Sequence, residues 1–242
     1  MNTQLANECF RAAAAYVSEH CADELDWVRG ITPEFLDEMT CSGFLEEYCW
    51  VVYASGFRVS VLKQKFGQLK VAYCNFDIDR ICQMQSLDPA LAIINNQRKA
   101  QGFVQGCRRI RSEGFGAFKA RLKSGGMDAL QVLPFIGTVT KKHLARNIGL
   151  LDVSKDDVWL SRLAEEFEAG SVEELTALLA KEHGEKQGVI DLILWRFCAD
   201  GAWEDWRTKR SLVPTGKSKR SSRIGISCSY KFRSFVSRLS FH

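Results

Sequence analysis

Apolar residues recur every three or four positions along most of the chain, and long alternating runs of β-branched residues are absent. This spacing is typical of amphipathic helices that turn one apolar face toward a core. Proline occurs only four times, so few interruptions are expected. The pattern predicts helices over roughly 4–21, 34–54, 59–72, 91–110, 116–123, 126–133, 138–148, 157–168, 172–182 and 185–198. The sequence therefore predicts an all-α protein.

Local signals mark where several of these helices begin and end. Pro33 and Pro89 are expected at the first position of a helix, where proline is tolerated. Gly149 is expected just past the end of a helix, and Ser171 with Glu174 resembles a capping box. We expect a helical body over residues 1–206, divided into two helical lobes with a cleft between them, followed by a separate tail over 207–242.

The charge of the chain is unevenly distributed. Ten of the 33 Lys and Arg residues lie in the segment 207–242, which contains no Asp or Glu. The remaining 23 basic residues face 29 acidic ones, so segment 1–206 has a net charge of −6. A basic end is typical of an arm that contacts nucleic acid. The Ser-rich stretch 218–223 fits equally well with a disordered solubilising tail or an artefact, and both alternatives stay open.

Cysteine and histidine give no sign of a metal site or a disulfide framework. The nine cysteines include no Cys-x-x-Cys pair, no secretory signal precedes them, and the four histidines are scattered. The chain has no run of 18 apolar residues, so no segment is expected to span a membrane. We therefore expect a cytoplasmic protein without a bound metal.

The segment 133–140, Leu-Pro-Phe-Ile-Gly-Thr-Val-Thr, predicts a short turn between two helices. The free N–H groups at the start of the second helix would attract an anion such as a phosphate, whatever the base sequence. The glycine allows close approach of the backbone, and the following lysines add positive charge. The residues expected to contact DNA are Phe135, Gly137, Val139, Thr140, Lys141 and Lys142. The alternative is an ordinary helical hairpin.

A carboxylate, Asp157, lies twenty residues after Gly137 and opens the next apolar-periodic segment. Taken alone, an aspartate in this place is usually a helix N-cap. The adjacent Asp156 makes the assignment uncertain by one residue.

Together these motifs resemble those of the helix-hairpin-helix DNA glycosylases. That family carries a Leu-Pro-Gly-hydrophobic-Gly hairpin, followed about twenty residues later by an aspartate that opens a helix. Upstream, the segment 44–58 is similar to the family's apolar helix leading into a loop that wedges into the minor groove. The segment 93–100 is similar to its Asn-x-x-Lys-Ala helix start. The resemblance covers roughly 40–200.

Three departures from the family pattern bear on function. Phe135 replaces the first hairpin glycine, so the turn is either looser or directs an aromatic ring toward DNA. Val139 stands where bifunctional members carry a Schiff-base lysine, and the four-cysteine iron–sulfur loop of some members is missing. The resemblance therefore implies a monofunctional enzyme.

The resemblance also implies a role for each candidate residue. Asp157 would stabilise the positive charge that develops on the deoxyribose when the N-glycosidic bond breaks, and would help to orient a water. The target base must leave the duplex and enter an aromatic slot. Candidates for that slot are Trp50, Tyr53, Phe57, Trp159 and Trp195. Arg58 or Phe57 would fill the space that the base vacates.

The leading hypothesis is a monofunctional DNA glycosylase that acts on double-stranded DNA as a monomer. No cofactor is expected, and the only ligand left open is a monovalent cation at the hairpin. One alternative is a non-catalytic helix-hairpin-helix DNA-binding module. Another is a glycosylase that excises hypermodified bases of phage DNA in antiviral defence. The motifs do not identify the base.

Overall fold

The computed structural model describes residues 1–32 and 34–211, and within these residues it contains helices and no strand. The α-helices are Thr3–His20 (α1), Ala22–Gly30 (α2), Phe35–Glu38 (α3), Cys41–Ala54 (α4), Val59–Ala72 (α5), Ile78–Cys82 (α6), Asp88–Ile93 (α7), Gln97–Glu113 (α8), Phe115–Gly125 (α9), Thr138–Asn147 (α10), Val158–Glu166 (α11), Val172–His183 (α12), Gln187–Ala199 (α13) and Ala202–Ser211 (α14). Two 3₁₀ segments are Cys74–Phe76 and Gly126–Val132. The predicted all-α fold is confirmed.

Several predicted boundaries differ from those observed. The segment predicted as one helix over 34–54 is two helices, because Met39 and Thr40 are extended and the Thr40 side chain caps α4 by accepting from the Gly43 N–H. The segment 126–133 is a 3₁₀ turn, and α2 and α6 were not predicted. Short helices with few apolar repeats leave only a weak periodic signal.

The predicted helix caps are found where the structure describes them. Ser171 accepts from the Glu174 N–H at 3.0 Å, and Gly149 has a φ of +71° just past α10. Pro89 is the second residue of α7 rather than the first, because the helix begins at Asp88. Pro33 lies outside the described residues.

The described helices pack around two separate hydrophobic clusters. The first cluster contains buried residues between 36 and 150, from α3 to α10. The second contains residues of α1 and α2 together with residues of α11 to α14. The chain thus starts in the second cluster, builds the first, and returns to the second at α11. The connection 148–157 makes this return, and the hairpin helix α10 lies on one side of it with α11 on the other.

The end of the helical body differs from the predicted boundary at 206, because α14 continues to Ser211. Trp203 is buried in the second cluster, and its ring stacks on that of Trp206 with centroids 5.3 Å apart. Arg210 pairs with Glu8 of α1 at 3.0 Å. The boundary at 206 therefore falls inside a packed helix. The rest of the predicted basic tail, 212–242, lies outside the described residues. No helix within 1–32 or 34–211 is long and apolar enough to cross a membrane.

A chain of buried polar groups joins the two clusters. Glu47 of α4 accepts from Asn147 Nδ2 at 2.9 Å, and the guanidinium of Arg146 donates to Asn147 Oδ1 at 3.1 and 3.2 Å. Arg146 Nη1 lies 2.8 Å from Oδ1 of Asp191, which is fully buried on α13. Asp191 Oδ2 also accepts the backbone N–H of Lys155 at 2.7 Å. These contacts hold α4, α10, α13 and the connection between α10 and α11 together, since unpaired charges are costly in such a place.

A second ion network also joins the clusters. Glu24 of α2 pairs with Arg196 of α13 at 2.6 Å and with Lys63 of α5. Lys63 lies on a helix of the first hydrophobic cluster, whereas Glu24 and Arg196 lie on helices of the second. This network therefore joins the same two clusters at a second place.

Replacing Glu47 with glutamine is predicted to change how stability depends on pH. Burial raises the pKa of Glu47 from 4.5 to about 7. Between these values the folded state holds a proton that the unfolded state releases, so stability is lost as pH rises through that window. Glu47→Gln keeps an acceptor for Asn147 and does not ionise. Its free energy of unfolding, relative to the parent, should therefore rise by up to roughly 3 kcal/mol between about pH 5 and 8, as measured by urea titration.

Subtracting the free energy of unfolding of the parent from that of Glu47→Gln at each pH removes the contributions of all groups that titrate alike in both proteins. Burial, together with repulsion from Lys155 and Arg146, holds the pKa of His143 well below its usual range, and this acts equally in both. A stability difference that stays constant from about pH 5 to 8 would contradict the assignment.

Candidate functional site

The hairpin turn is tight although it lacks the family's first glycine. Phe135 has a φ of +66°, in the left-handed region that favours glycine. Tyr48 Oη donates to the Pro134 carbonyl at 2.9 Å. The Phe135 ring packs on Gly102 of α8 so closely that a Cβ built there would lie 2.3 Å from ring atom Cε2. Phe135 therefore does not loosen the turn. Its ring packs partly on α8 and stays 37% exposed.

The first turn of α10 presents backbone to an open groove. Thr140 Oγ1 accepts from the Gly137 N–H at 2.7 Å and donates to the Phe135 carbonyl at 2.9 Å. Gly137 has no side chain that could cover the N–H groups following it, and a Cβ there would meet open space. The groove, of about 470 Å³, is lined by residues 135–140 and by Ser55. The structure thus places the hairpin beside the predicted wedge loop, with Val139 exposed between them.

The two hairpin lysines are already paired within the protein. Lys141 forms an ion pair with Asp128, and Lys142 Nζ lies 2.8 Å from Asp156 Oδ2. Both lysines are mostly buried, whereas their carboxylate partners are exposed. The expectation that both lysines contact DNA stays a prediction. A phosphate would have to displace a carboxylate from each lysine, so the unpaired attraction of the hairpin for anions comes from its backbone.

Asp157 caps α11 and is the more sheltered of the two adjacent aspartates. Its Oδ1 accepts from the backbone N–H groups of Trp159 and Leu160 at 3.0 and 3.1 Å. Its Oδ2 lies 3.2 Å from Lys155 Nζ, and its side chain is 19% exposed. Asp156 is 44% exposed and turned toward Lys142. The carboxylate that is fixed at a helix N-terminus is therefore Asp157.

Sequence reasoning missed Lys155, which the structure brings against Asp157. Its side chain is 12% exposed, and Nζ lies 4.4 Å from the centre of the Trp195 ring. Burial lowers the pKa of Lys155 below its usual value; Asp191 and Asp157 act in the opposite direction, and Arg146 in the same one. The only sequence signal was a lysine two positions before the aspartate, which has no distinctive spacing.

The aromatic candidates fall into two groups. Trp159 is half-buried next to Asp157, and the Arg162 guanidinium lies 5.1 Å from the centre of its ring. Trp195 contacts the Lys155 ammonium and is also half-buried. One ring thus belongs to the helix that Asp157 caps, and the other packs on the lysine that pairs with Asp157.

Tyr53 and Trp50 lie elsewhere. Tyr53 is 1% exposed, and its hydroxyl is 2.6 Å from that of Tyr73. Trp50 packs edge-on against Phe66 with ring centroids 5.1 Å apart, at the first hydrophobic cluster. A base could not touch Tyr53 in this conformation, so the expectation that it lines the slot is corrected. The sequence pattern around Tyr53 could not distinguish a core position from a pocket position, because large aromatic side chains occur in both.

The predicted wedge loop is held at its base and exposed at its tip. Phe57 and Arg58 are exposed at the end of α4. Lys99 donates to the Ser55 carbonyl, and Asn96 caps α8 by accepting from the Lys99 N–H at 3.1 Å. The Asn-x-x-Lys motif therefore fastens the loop to α8.

Comparison with solved structures gives the fold a known counterpart. The chain is similar to the crystal structure of the 8-oxoguanine DNA glycosylase of Thermotoga maritima, with a TM-score of 0.56 over 81% of this chain and 97% of that one. Sequence identity is 16%, so the likeness shows the fold alone. No protein-family model matches the sequence, and no curated protein is similar to it. The resemblance to helix-hairpin-helix DNA glycosylases is confirmed at the level of the fold.

Replacing Gly102 with alanine is predicted to displace the hairpin. A Cβ would overlap the Phe135 ring, and overpacking of this kind costs about 1–3 kcal/mol. Phe135→Gly in the same chain removes both the ring and the strained φ, so it should recover most of the loss. Urea unfolding of the two single variants and the double variant measures the coupling.

Gly67→Ala is the matched control. Gly67 is also in a helix interior, in α5, but a Cβ there meets nothing within 4 Å. It should stabilise by roughly 0.5–1 kcal/mol through helix propensity. If Gly102→Ala behaves in the same way as Gly67→Ala, the close packing of Phe135 is wrong.

Proposed function

We propose that the protein is a monofunctional DNA glycosylase, a cytoplasmic monomer that needs no cofactor. It flips a damaged or modified base out of double-stranded DNA and hydrolyses the N-glycosidic bond, which leaves an abasic site. The observation that carries the proposal is the position of Asp157 in a glycosylase fold. It is a sheltered carboxylate at the N-terminus of α11, one connection after a hairpin whose backbone N–H groups are open to a phosphate.

The reaction builds positive charge on the sugar as the base leaves with the bonding electrons. A carboxylate held in advance beside C1′ stabilises that charge without having to reorganise. Asp157 orients a water, whose oxygen adds to C1′ and whose released proton passes to the departing base, so that the products are an abasic sugar and the free base. Two backbone N–H groups already fix one carboxylate oxygen, so the position of the charge is set before substrate arrives.

The surrounding surface supports a DNA-binding role for the other candidates. The groove between hairpin and wedge loop would take the DNA backbone at the first turn of α10, where Phe135, Gly137, Val139 and Thr140 lie. Phe57 and Arg58 are exposed on the adjoining loop, in a place to fill the vacated stack. Trp159 follows Asp157 on α11 and Trp195 packs on its partner Lys155, and these two rings would receive the base.

Excision is predicted to leave the DNA strand intact, because Val139 has no amine with which to form a Schiff base. The test uses end-labelled duplexes of one sequence that carry a single alkylated purine, oxidised purine or modified pyrimidine. At least one duplex should release a free base, and its strand should break only after hot alkali. Strand cleavage without alkali, trapped covalently by borohydride, would overturn the monofunctional assignment.

Asp157→Asn is predicted to lower the single-turnover excision rate by about 10²–10³-fold while DNA affinity is kept. Asparagine retains size and the helix cap but removes the charge that stabilises the sugar cation. Asp156→Asn is the matched control, and it should excise at close to the parental rate because that carboxylate points to Lys142. If only Asp156→Asn lost activity, the assignment would be wrong by one residue. If neither substitution changed the excision rate and no base were released from any duplex, the protein would be better described as a non-catalytic DNA-binding module.

A further inference from the structure

Within the part of the chain that the structure describes, Lys155 is the nearest cation to the proposed catalytic carboxylate. Its Nζ lies 3.2 Å from Asp157 Oδ2, the oxygen that the helix N-terminus leaves free. A contact of this length is longer than the 2.7–2.9 Å of a close charge-assisted hydrogen bond. The lysine can therefore hold this oxygen in one direction without a close hydrogen bond.

The lysine itself is held from two sides. Its backbone N–H donates to the fully buried Asp191, which also pairs with Arg146 of the hairpin helix. Its ammonium rests against the face of Trp195, at 4.4 Å from the ring centre. The side chain is thus confined between an aromatic ring and the carboxylate, with little exposure to water.

We infer that Lys155 is a positioning residue for Asp157, which holds Oδ2 while the N-terminus of α11 holds Oδ1. With both oxygens engaged, the carboxylate is held in one orientation. This inference rests on the proposed function, because the purpose of a fixed anion here is to face the sugar cation.

The charged groups around Lys155 and Asp157 determine how the excision rate should depend on pH. On the connection and α10, Lys155 faces Asp157, His143 and Arg146. On α13 Lys155 faces Asp191. Cys198 of α13 lies near Asp157, and Arg162 of α11 also acts on that thiol. Removing the ammonium takes away the positive charge in direct contact with Asp157. Burial lowers the pKa of the Lys155 ammonium, so the parental protein should lose this charge on the alkaline side at a lower pH than an ordinary lysine would.

Single-turnover excision over about pH 6 to 10 tests this with Lys155→Met and Lys155→Arg. Methionine keeps much of the length and loses the charge. It should lower the rate by roughly 10-fold near neutrality. The deficit should narrow as pH rises, because the parental protein then loses the Lys155 proton. Arginine should restore the rate near neutrality and keep it on the alkaline side, since a guanidinium does not deprotonate there. Lys70→Met, which breaks a remote ion pair with Glu46, is the control and should keep the parental profile.

A second measurement without DNA separates this inference from the proposed function. The melting temperatures of Lys155→Met, Asp157→Asn and the double variant form a cycle. The double variant should lose less than the sum of the single losses, because either change already removes the contact. Additive losses would overturn the inference even if the protein excises bases.

The remaining outcomes are also decisive. An equal loss of rate at every pH would mean that Lys155 is merely structural, and no loss would mean that it has no role. Borohydride trapping of an abasic product on Lys155 would make it a nucleophile instead. Coupled melting temperatures without excision of any base would refute the proposed function and, with it, the positioning role.

Discussion

The buried ion pair between Arg146 and Asp191 joins the two hydrophobic clusters at the point where the site is formed. Arg146 lies on the hairpin helix and Asp191 on the central helix of the second cluster, with their charged atoms 2.8 Å apart. Asp191 has a second partner, the backbone of Lys155, and Arg146 reaches Glu47 through Asn147. Removal of either charge would leave the other buried and unpaired, which is far more costly than the pair is stabilising. The hairpin and the connection to Asp157 are therefore held in one arrangement.

The hairpin shows how a strained residue is kept by packing. A phenylalanine at positive φ is unfavourable by itself. The turn persists because the ring fills the space above Gly102 and because Tyr48 binds the carbonyl before it. Gly106 leaves space for the Tyr48 ring in the same way. The two glycines of α8 thus allow two aromatic side chains to hold the turn, and the open N–H groups of α10 keep their direction toward the groove.

Charge at the site is concentrated around one carboxylate. Lys141 and Lys142 are paired with exposed aspartates, which reduces the net field of the hairpin. Asp157 is also paired with a lysine, but its other oxygen accepts from a helix N-terminus. A backbone anion site and a fixed side-chain anion therefore lie on either side of the connection 148–157. Such an arrangement suits a ligand that places a phosphate at the first turn of α10 and develops positive charge beside Asp157.

The sequence by itself determined the features that depend on neighbours three or four residues apart. These include the helical periodicity, the caps at Ser171 and Asp157, and the hairpin spacing from which a glycosylase fold was predicted. Only the tertiary structure decided which side chains meet across the fold. Glu47 and Asn147 are 100 residues apart, and Lys155 and Asp191 are 36 apart. Burial of Tyr53 and pairing of Lys142 also depend on how helices pack, since a helical pattern specifies which face is apolar but not which partner covers it.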